Sequence, residues 1–148
     1  MRVVIQRVKE CELFSDGKKF SEIKKGMLVL LGVGIGDTIN GLDKLVKKIA
    51  SIRIFDDENG KINKNVNDIG GEIMVVSNFT LYGNLKGTNR PDFINSAKPD
   101  IAEQIYEKFV EELRKFVSVK TGVFRTYMEI KMVADGPGIY ILDSENIW

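Results

Sequence analysis

The chain has 148 residues, 43% of them hydrophobic and 29% charged, which suits one ordinary globular domain and excludes disordered, collagen-like and coiled-coil classes. Its 22 basic and 21 acidic residues balance to +1, so no global field draws in nucleic acid or an anionic membrane, and any anionic partner must be held locally. There is no histidine and only one cysteine, which removes Ser-His-Asp and Cys-His nucleophile systems, histidine-ligated metal sites, internal disulfides and thiolate cages; no metal and no cofactor are expected.

Arg2-Val3-Val4-Ile5-Gln6-Arg7-Val8 is a β-branched run that predicts a strand rather than a signal peptide. Cys11 follows in the alternating stretch Glu10-Cys11-Glu12-Leu13-Phe14, where it suits a small, half-buried strand residue better than a nucleophile. Ser15-Asp16-Gly17 is turn chemistry before Phe20-Ser21-Glu22-Ile23, so an opening meander of short strands is expected. Met27-Leu28-Val29-Leu30-Leu31-Gly32-Val33 is a continuous apolar run, which predicts a central strand buried on both faces. It is far short of the ~20 residues of a membrane-spanning helix, and a cytoplasmic location is expected.

Asp37-Thr38 can cap a helix in which Leu42, Leu45, Val46 and Ile49 recur at helical spacing while Lys44, Lys47 and Lys48 face out. After Ile52-Arg53-Ile54-Phe55 and the turn-rich Asp56-Asp57-Glu58-Asn59-Gly60, a second buried run, Ile73-Met74-Val75-Val76, is entered through Gly70-Gly71 and ends in polar residues. Residues 82–99 are rich in Gly, Asn, Lys, Arg and Pro, a segment too long for a simple turn and expected to border a site. Pro99 stands at a helix N1 position with Asp100 and Glu103 behind it, and Ile101, Ile105, Phe109, Leu113 and Phe116 form one apolar stripe. The tail predicts two strands, 127–133 and 139–142, separated by Ala134-Asp135-Gly136-Pro137-Gly138. With no repeat or linker, residues 1–148 form a single domain of the α/β class with α+β character.

Three constellations could carry chemistry. Gly32-Val33-Gly34-Ile35-Gly36 lies between a strand and a helix, with Asp56 and Asp57 about twenty residues on, but Gly36 comes one residue too early for a dinucleotide fingerprint, which favours a plain strand-to-helix turn. Ser77-Asn78-Phe79-Thr80 closes the second buried run with two hydroxyls, a carboxamide and strand-end amides. These groups can hold a carbonyl or developing oxyanion, or can simply satisfy their own backbone. Asp135-Gly136-Pro137-Gly138 reads first as a turn.

Taken in order, Met1-Arg2-Val3-Val4-Ile5-Gln6-Arg7-Val8, Leu30-Leu31-Gly32-Val33, Arg53-Ile54-Phe55, Val75-Val76-Ser77-Asn78-Phe79-Thr80-Leu81, Arg90-Pro91-Asp92-Phe93, Thr121-Gly122-Val123-Phe124 and Asp135-Gly136-Pro137 span nearly the whole chain. This series resembles the D-aminoacyl-tRNA deacylases, also called D-tyrosyl-tRNA deacylases. The resemblance implies a mixed, barrel-like sheet with helices packed on it. It also implies a homodimer that hydrolyses the ester between a D-amino acid and tRNA, a chiral proofreading step that could extend to the achiral glycyl ester. By the same resemblance Ser77, Asn78, Phe79 and Thr80 form the catalytic segment, with Thr80 a carbonyl orienter or a nucleophile. Gly136 and Pro137 match a Gly-cis-Pro pair that enters the partner subunit's site and excludes L side chains, while Phe124 and Met128 match residues of the pocket for the terminal adenosine. Lys86, Arg90 and Lys98 could supply charge for tRNA phosphates or form a merely solvated basic loop.

Four departures stand out. Asn78 replaces the family's usual glutamine, Ala134 and Ile139 replace an asparagine and a threonine that flank the Gly-Pro pair, Gly138 follows the proline, and Arg125-Thr126-Tyr127 brings bulk and charge beside the adenosine pocket. They keep open a second reading, a catalytically silent tRNA- or nucleotide-binding relative of the same fold.

Overall fold

The structure, a computed structural model, describes residues 1–145. In chain order its elements are β1 (Arg2–Ser15), β2 (Lys18–Ile23), β3 (Gly26–Gly32), α1 (Leu42–Ser51), β4 (Phe55–Asp56), β5 (Ile62–Lys64), β6 (Glu72–Ser77), α2 (Pro99–Leu113), β7 (Val119–Thr121) and β8 (Met128–Asp143). The long β1 serves two neighbours along one edge: its first half pairs antiparallel with β3, Arg2 opposite Gly32 through Val8 opposite Gly26, and its second half with β2. The β1–β2 hairpin turns through Asp16 and Gly17, whose φ values of 51 and 74 match a turn that needs two left-handed residues. β3 pairs parallel with β6, and β6 parallel with β7. Parallel neighbours require long crossovers, and α1 and α2 lie in those two connections.

The predicted central strand is β3, and its unbroken apolar run follows from burial on both faces. Met27, Val29 and Leu31 join Ile73 and Val75 of β6 beneath Leu45 and Ile49 of α1 and Phe109 and Leu113 of α2. Leu28 and, across the ladder, Met74 and Val76 point the other way into a smaller cluster with Val8, Cys11, Leu13 and Ile23. This second cluster exists because the sheet curls, giving the mixed, barrel-like architecture expected. Cys11 is fully buried there, its Sγ 3.7 Å from Met74 Sδ, and burial pushes its thiol up to about 11.

Three local expectations are corrected. The tail is one strand, β8, paired along the length of β1; Gln6 faces Ile139 and Val8 faces Ala134, so residues 135–138 bulge from the ladder opposite Arg7 instead of ending a strand. Asp37-Thr38 does not cap α1, which starts after a 3₁₀ turn, Ile39–Gly41, without a side-chain cap; Asp37 Oδ2 instead accepts from the Gly34 N–H at 2.7 Å. α2 buries Ile105, Tyr106, Phe109, Val110 and Leu113, whereas Ile101 and Phe116 are exposed, because the helix starts proud of the sheet and stops before residue 116.

Candidate active site

At the C-terminal end of β6 the sheet opens into a cavity of about 800 Å³, within the size range of small-ligand sites. Ser77, Asn78 and Phe79 form one wall and Phe124, Met128 and Ile130 another, with Phe93, Ala97, Lys98 and Ala102 between them. The floor is apolar because Leu30 and Val76 come from the face of the sheet that carries the smaller core. Phe124 packs against the larger core, its ring 5.8 Å from that of Tyr106. The rings of Phe79 and Phe93 meet edge to face at 4.8 Å.

The chain turns sharply after Ser77 into a short 3₁₀ turn, Phe79–Tyr82, whose N-cap is Asn78. Small residues let this turn sit against β3. A Cβ on Gly32 would meet Leu81 Cβ at 3.0 Å and the Asn78 carbonyl oxygen at 3.1 Å, and one on Gly34 would meet the Tyr82 ring at 2.5 Å. The glycines of residues 32–34 therefore seat the turn, and the strand-to-helix reading of this run holds. Arg2 fastens the far side, with Nη1 donating to the Leu81 carbonyl at 3.0 Å and the guanidinium 4.6 Å from the centre of the Tyr82 ring. The Tyr82 hydroxyl donates to Asp37 at 3.3 Å, and burial, reinforced by that carboxylate, pushes the phenol well above its usual value.

The long loop returns to the cavity by pairing. Asn84 and Asp92 exchange backbone hydrogen bonds at 2.9 and 3.1 Å, and then Ile35 donates to Asn95 at 3.0 Å and Ala97 to Val33 at 2.9 Å. These bonds bring Lys98 and the start of α2 to the cavity, whose lining also includes a second cation, Arg125, with a left-handed φ of 59. Lys86 and Arg90 sit exposed on the outer part of the loop and do not line the cavity.

Thr80 is exposed and stands behind Asn78, outside the cavity lining; its N–H donates to Asn78 Oδ1 at 3.1 Å and its hydroxyl donates to the same atom. Gly136 and Pro137 are exposed too and lie away from this chain's own cavity, at the bulge of β8, and the peptide bond between them is cis. A buried arginine holds the bulge. Arg7 Nη2 donates to Asp135 at 2.9 Å and to Asp56 at 3.1 Å, and Nη1 donates to the Ile54 carbonyl at 2.8 Å. Burial alone would lower the Arg7 pKa, but the hydrogen bonds to Asp135 and Asp56 outweigh it and leave the group above its ordinary value.

Residues 4–143 match the family described as D-Tyr-tRNA(Tyr) deacylase. The chain belongs to this family. The D-aminoacyl-tRNA deacylase of Persephonella marina is 49% identical over 98% of this chain and 99% of that protein, and that of Thermosipho africanus is 46% identical over the full length of both. A solved structure described as "c-Myc DNA Unwinding Element Binding Protein" superposes with a TM-score of 0.91 at 40% identity, covering 97% of this chain and 98% of that one. A second, from a study of "a probable eukaryotic D-amino acid tRNA deacylase", has a TM-score of 0.80 at 17% identity, covers 95% and 97% of the two chains, and shares the fold.

For this deacylase-family chain, five of the residues singled out in the sequence meet at one cavity: Ser77, Asn78, Phe79, Phe124 and Met128, with Lys98 at the rim. Phe93 and Tyr127 also line it. The residue that sequence reading missed is Arg7. Its signal was visible as an arginine amid the apolar and β-branched residues of the first strand, a placement that calls for partners wherever the side chain is buried.

Proposed function

We propose that the chain is a D-aminoacyl-tRNA deacylase, which hydrolyses the ester linking a D-amino acid to the terminal adenosine of tRNA. The observation that carries this reading is the composition of the cavity. It offers hydroxyl, carboxamide and backbone donors on one wall, an aromatic and a thioether on the other, and cations at its mouth, with no Asp, Glu, His or Cys among the residues that line it. An aminoacyl ester, already activated by its neighbouring ribose hydroxyl, needs positioning and oxyanion donors more than a protein base. Phe124 and Met128 suit an adenine, and Lys98 suits a backbone phosphate; Lys86 and Arg90 extend that charge along the acceptor end. Such a substrate is made where translation runs, in the cytoplasm, and no described helix is long and apolar enough to cross a membrane.

Gly136 and Pro137 act in this reading on a second copy of the chain. Three features support it: the pair is exposed and remote from its own cavity, Arg7 braces the bulge that carries it, and β8 pairs only with β1 among the described residues while exposing Ile139 and Ile141. A backbone wall rejects an L side chain by geometry, whatever the D side chain is, and it lets a glycyl ester pass. The test is release of amino acid from matched D- and L-tyrosyl-tRNA at several enzyme concentrations, with Pro137→Ala and Thr80→Ala variants alongside. Release from the D ester alone is expected, with Pro137→Ala extending it to the L ester. Binding of both without release would replace the enzyme with a silent binding relative.

A further inference from the structure

Asn78 and Thr80 share their hydrogen atoms in a way that divides the chemistry between them. The Thr80 N–H can only donate, and it points at the Asn78 side chain at 3.1 Å. That contact fixes the amide orientation: the carboxamide oxygen faces Thr80 and the nitrogen faces away. The oxygen can only accept, so the Thr80 hydroxyl, which contacts the same atom, must be the donor. Both protons that Thr80 could offer a substrate are thus committed to one oxygen. Thr80 also lies outside the residues that line the cavity, whereas Asn78 lies within them, between Ser77 and Phe79. Asn78 Nδ2 has no hydrogen-bond partner among the described residues.

We propose that the Asn78 side-chain amide donates to the substrate's ester carbonyl and its developing oxyanion, and that Thr80 is a positioning residue acting through Asn78. This rests on the deacylase reading above and assigns roles within it. Two bonds to one oxygen prevent the carboxamide from rotating or flipping, so Nδ2 is held ready before the substrate arrives, the condition under which a neutral donor is most effective. The attacking water adds to the carbonyl carbon and gives up a proton while the carbonyl π pair moves to the oxygen facing Nδ2; collapse re-forms the carbonyl, breaks the bond to the ribose oxygen, and that oxygen takes up the proton released by the water. Thr80 forms no bond to the substrate in any of these steps.

The test uses the full-length protein and D-tyrosyl-tRNA under single-turnover conditions. Asn78→Asp keeps an acceptor for both Thr80 protons but puts a carboxylate in place of the donor, and Asn78→Ala removes the donor without adding charge; each is expected to lower the maximal rate by about 100-fold or more. Binding of a non-hydrolysable 3′-amide analogue of D-tyrosyl-adenosine should change by less than about tenfold, because the loss falls on the transition state. Thr80→Val, which keeps the N–H bond and removes the hydroxyl, should lower the rate by only about tenfold, and Thr80→Ser should restore it. In the Asn78→Asp background Thr80→Val should have almost no further effect, since a positioning residue loses its role with the group it positions. A nucleophilic Thr80 would instead abolish turnover as valine with Asn78 intact, and that result would overturn the assignment. So would an Asn78→Asp rate within about threefold of the parent chain, a change too small for a lost oxyanion donor. Failure of the parent chain to release D-tyrosine would strike the deacylase reading itself, a result distinct from either.

Discussion

Replacing Asp135 with asparagine tests whether the Arg7 brace sets chiral selectivity. Arg7 lies almost completely buried between two carboxylates, Asp135 at 2.9 Å and the half-exposed Asp56 at 3.1 Å. Asp135→Asn leaves an acceptor oxygen in place and leaves Asp56 to balance the guanidinium, so no buried charge is stranded. The loss is the difference between a charge-assisted and a neutral hydrogen bond, about 1 kcal/mol. That corresponds to about a fivefold gain in the released form of the 135–138 bulge. In a domain of this size it should lower the Tm by about 2–4 °C. D-tyrosyl-tRNA hydrolysis should stay within about twofold, while hydrolysis of L-tyrosyl-tRNA should rise about fivefold, because in the proposed dimer only the L ester meets the wall. Thermal unfolding followed by circular dichroism, together with paired D and L single-turnover rates, checks both. A variant that loses the expected stability yet keeps its D/L ratio would show that Arg7 braces the strand and not the selective wall. Arg7→Met is the wrong probe, because it leaves two carboxylates facing one site and costs about 3–5 kcal/mol.

Other positions yield separate tests. Arg125→Ala removes a cavity-lining cation without a protein partner among the described residues, so the KM for aminoacyl-tRNA should rise and its log–log salt slope should flatten by about one, with a smaller effect on D-tyrosyl-adenosine, which carries no phosphate. Gly34→Ala drives a methyl into the Tyr82 ring and should destabilise the fold by about 1–3 kcal/mol in chemical denaturation; an unchanged midpoint would refute the seating role of that glycine. Cys11, buried and with its thiol raised to about 11, should resist iodoacetamide at pH 8 until the protein unfolds. The linkage runs in one direction: the unfolded thiol ionises first, so the stability from this group is complete below its ordinary value and is lost as pH rises through about 11. Cys11→Ala should weaken that alkaline loss in a denaturation series from pH 8 to 11.

The elements that were legible in the chain are those whose pattern has one physical solution. Met27 through Leu31 suits a doubly buried strand, and Pro99 with the apolar repeat behind it suits the opening of a helix. What misled was local chemistry overridden by partners distant in sequence. Asp37 has the side chain of a helix cap, but the Gly34 amide and the Tyr82 hydroxyl take its carboxylate, so α1 starts uncapped. Residues 134–138 have the composition of a turn between strands, yet β1 runs unbroken beside them and keeps β8 one strand, so the excess residues bulge. Of the site, Ser77 through Thr80 were legible as a polar end to an apolar strand. That Thr80 sits behind Asn78 and not in the cavity depends on the 3₁₀ turn, which no residue pattern announces.

The bulge and the cavity together account for the uneven distribution of charge. The cavity lining holds two cations and no carboxylate, which suits a phosphate-bearing substrate and avoids repelling the oxyanion proposed to form at Asn78. The carboxylates that could have interfered are placed elsewhere in the fold: Asp37 against Gly34 and Tyr82, Asp56 and Asp135 on Arg7. Arg7 therefore has a second consequence beyond bracing the bulge. By pairing with Asp135, one residue before Gly136, it draws the nearest negative charge inward, away from the tip. In the proposed dimer that leaves a neutral backbone surface facing the ester. A carboxylate at the tip would attract the substrate's α-ammonium and oppose its oxyanion, which places Asp135 where it must be paired for the wall to act by shape alone.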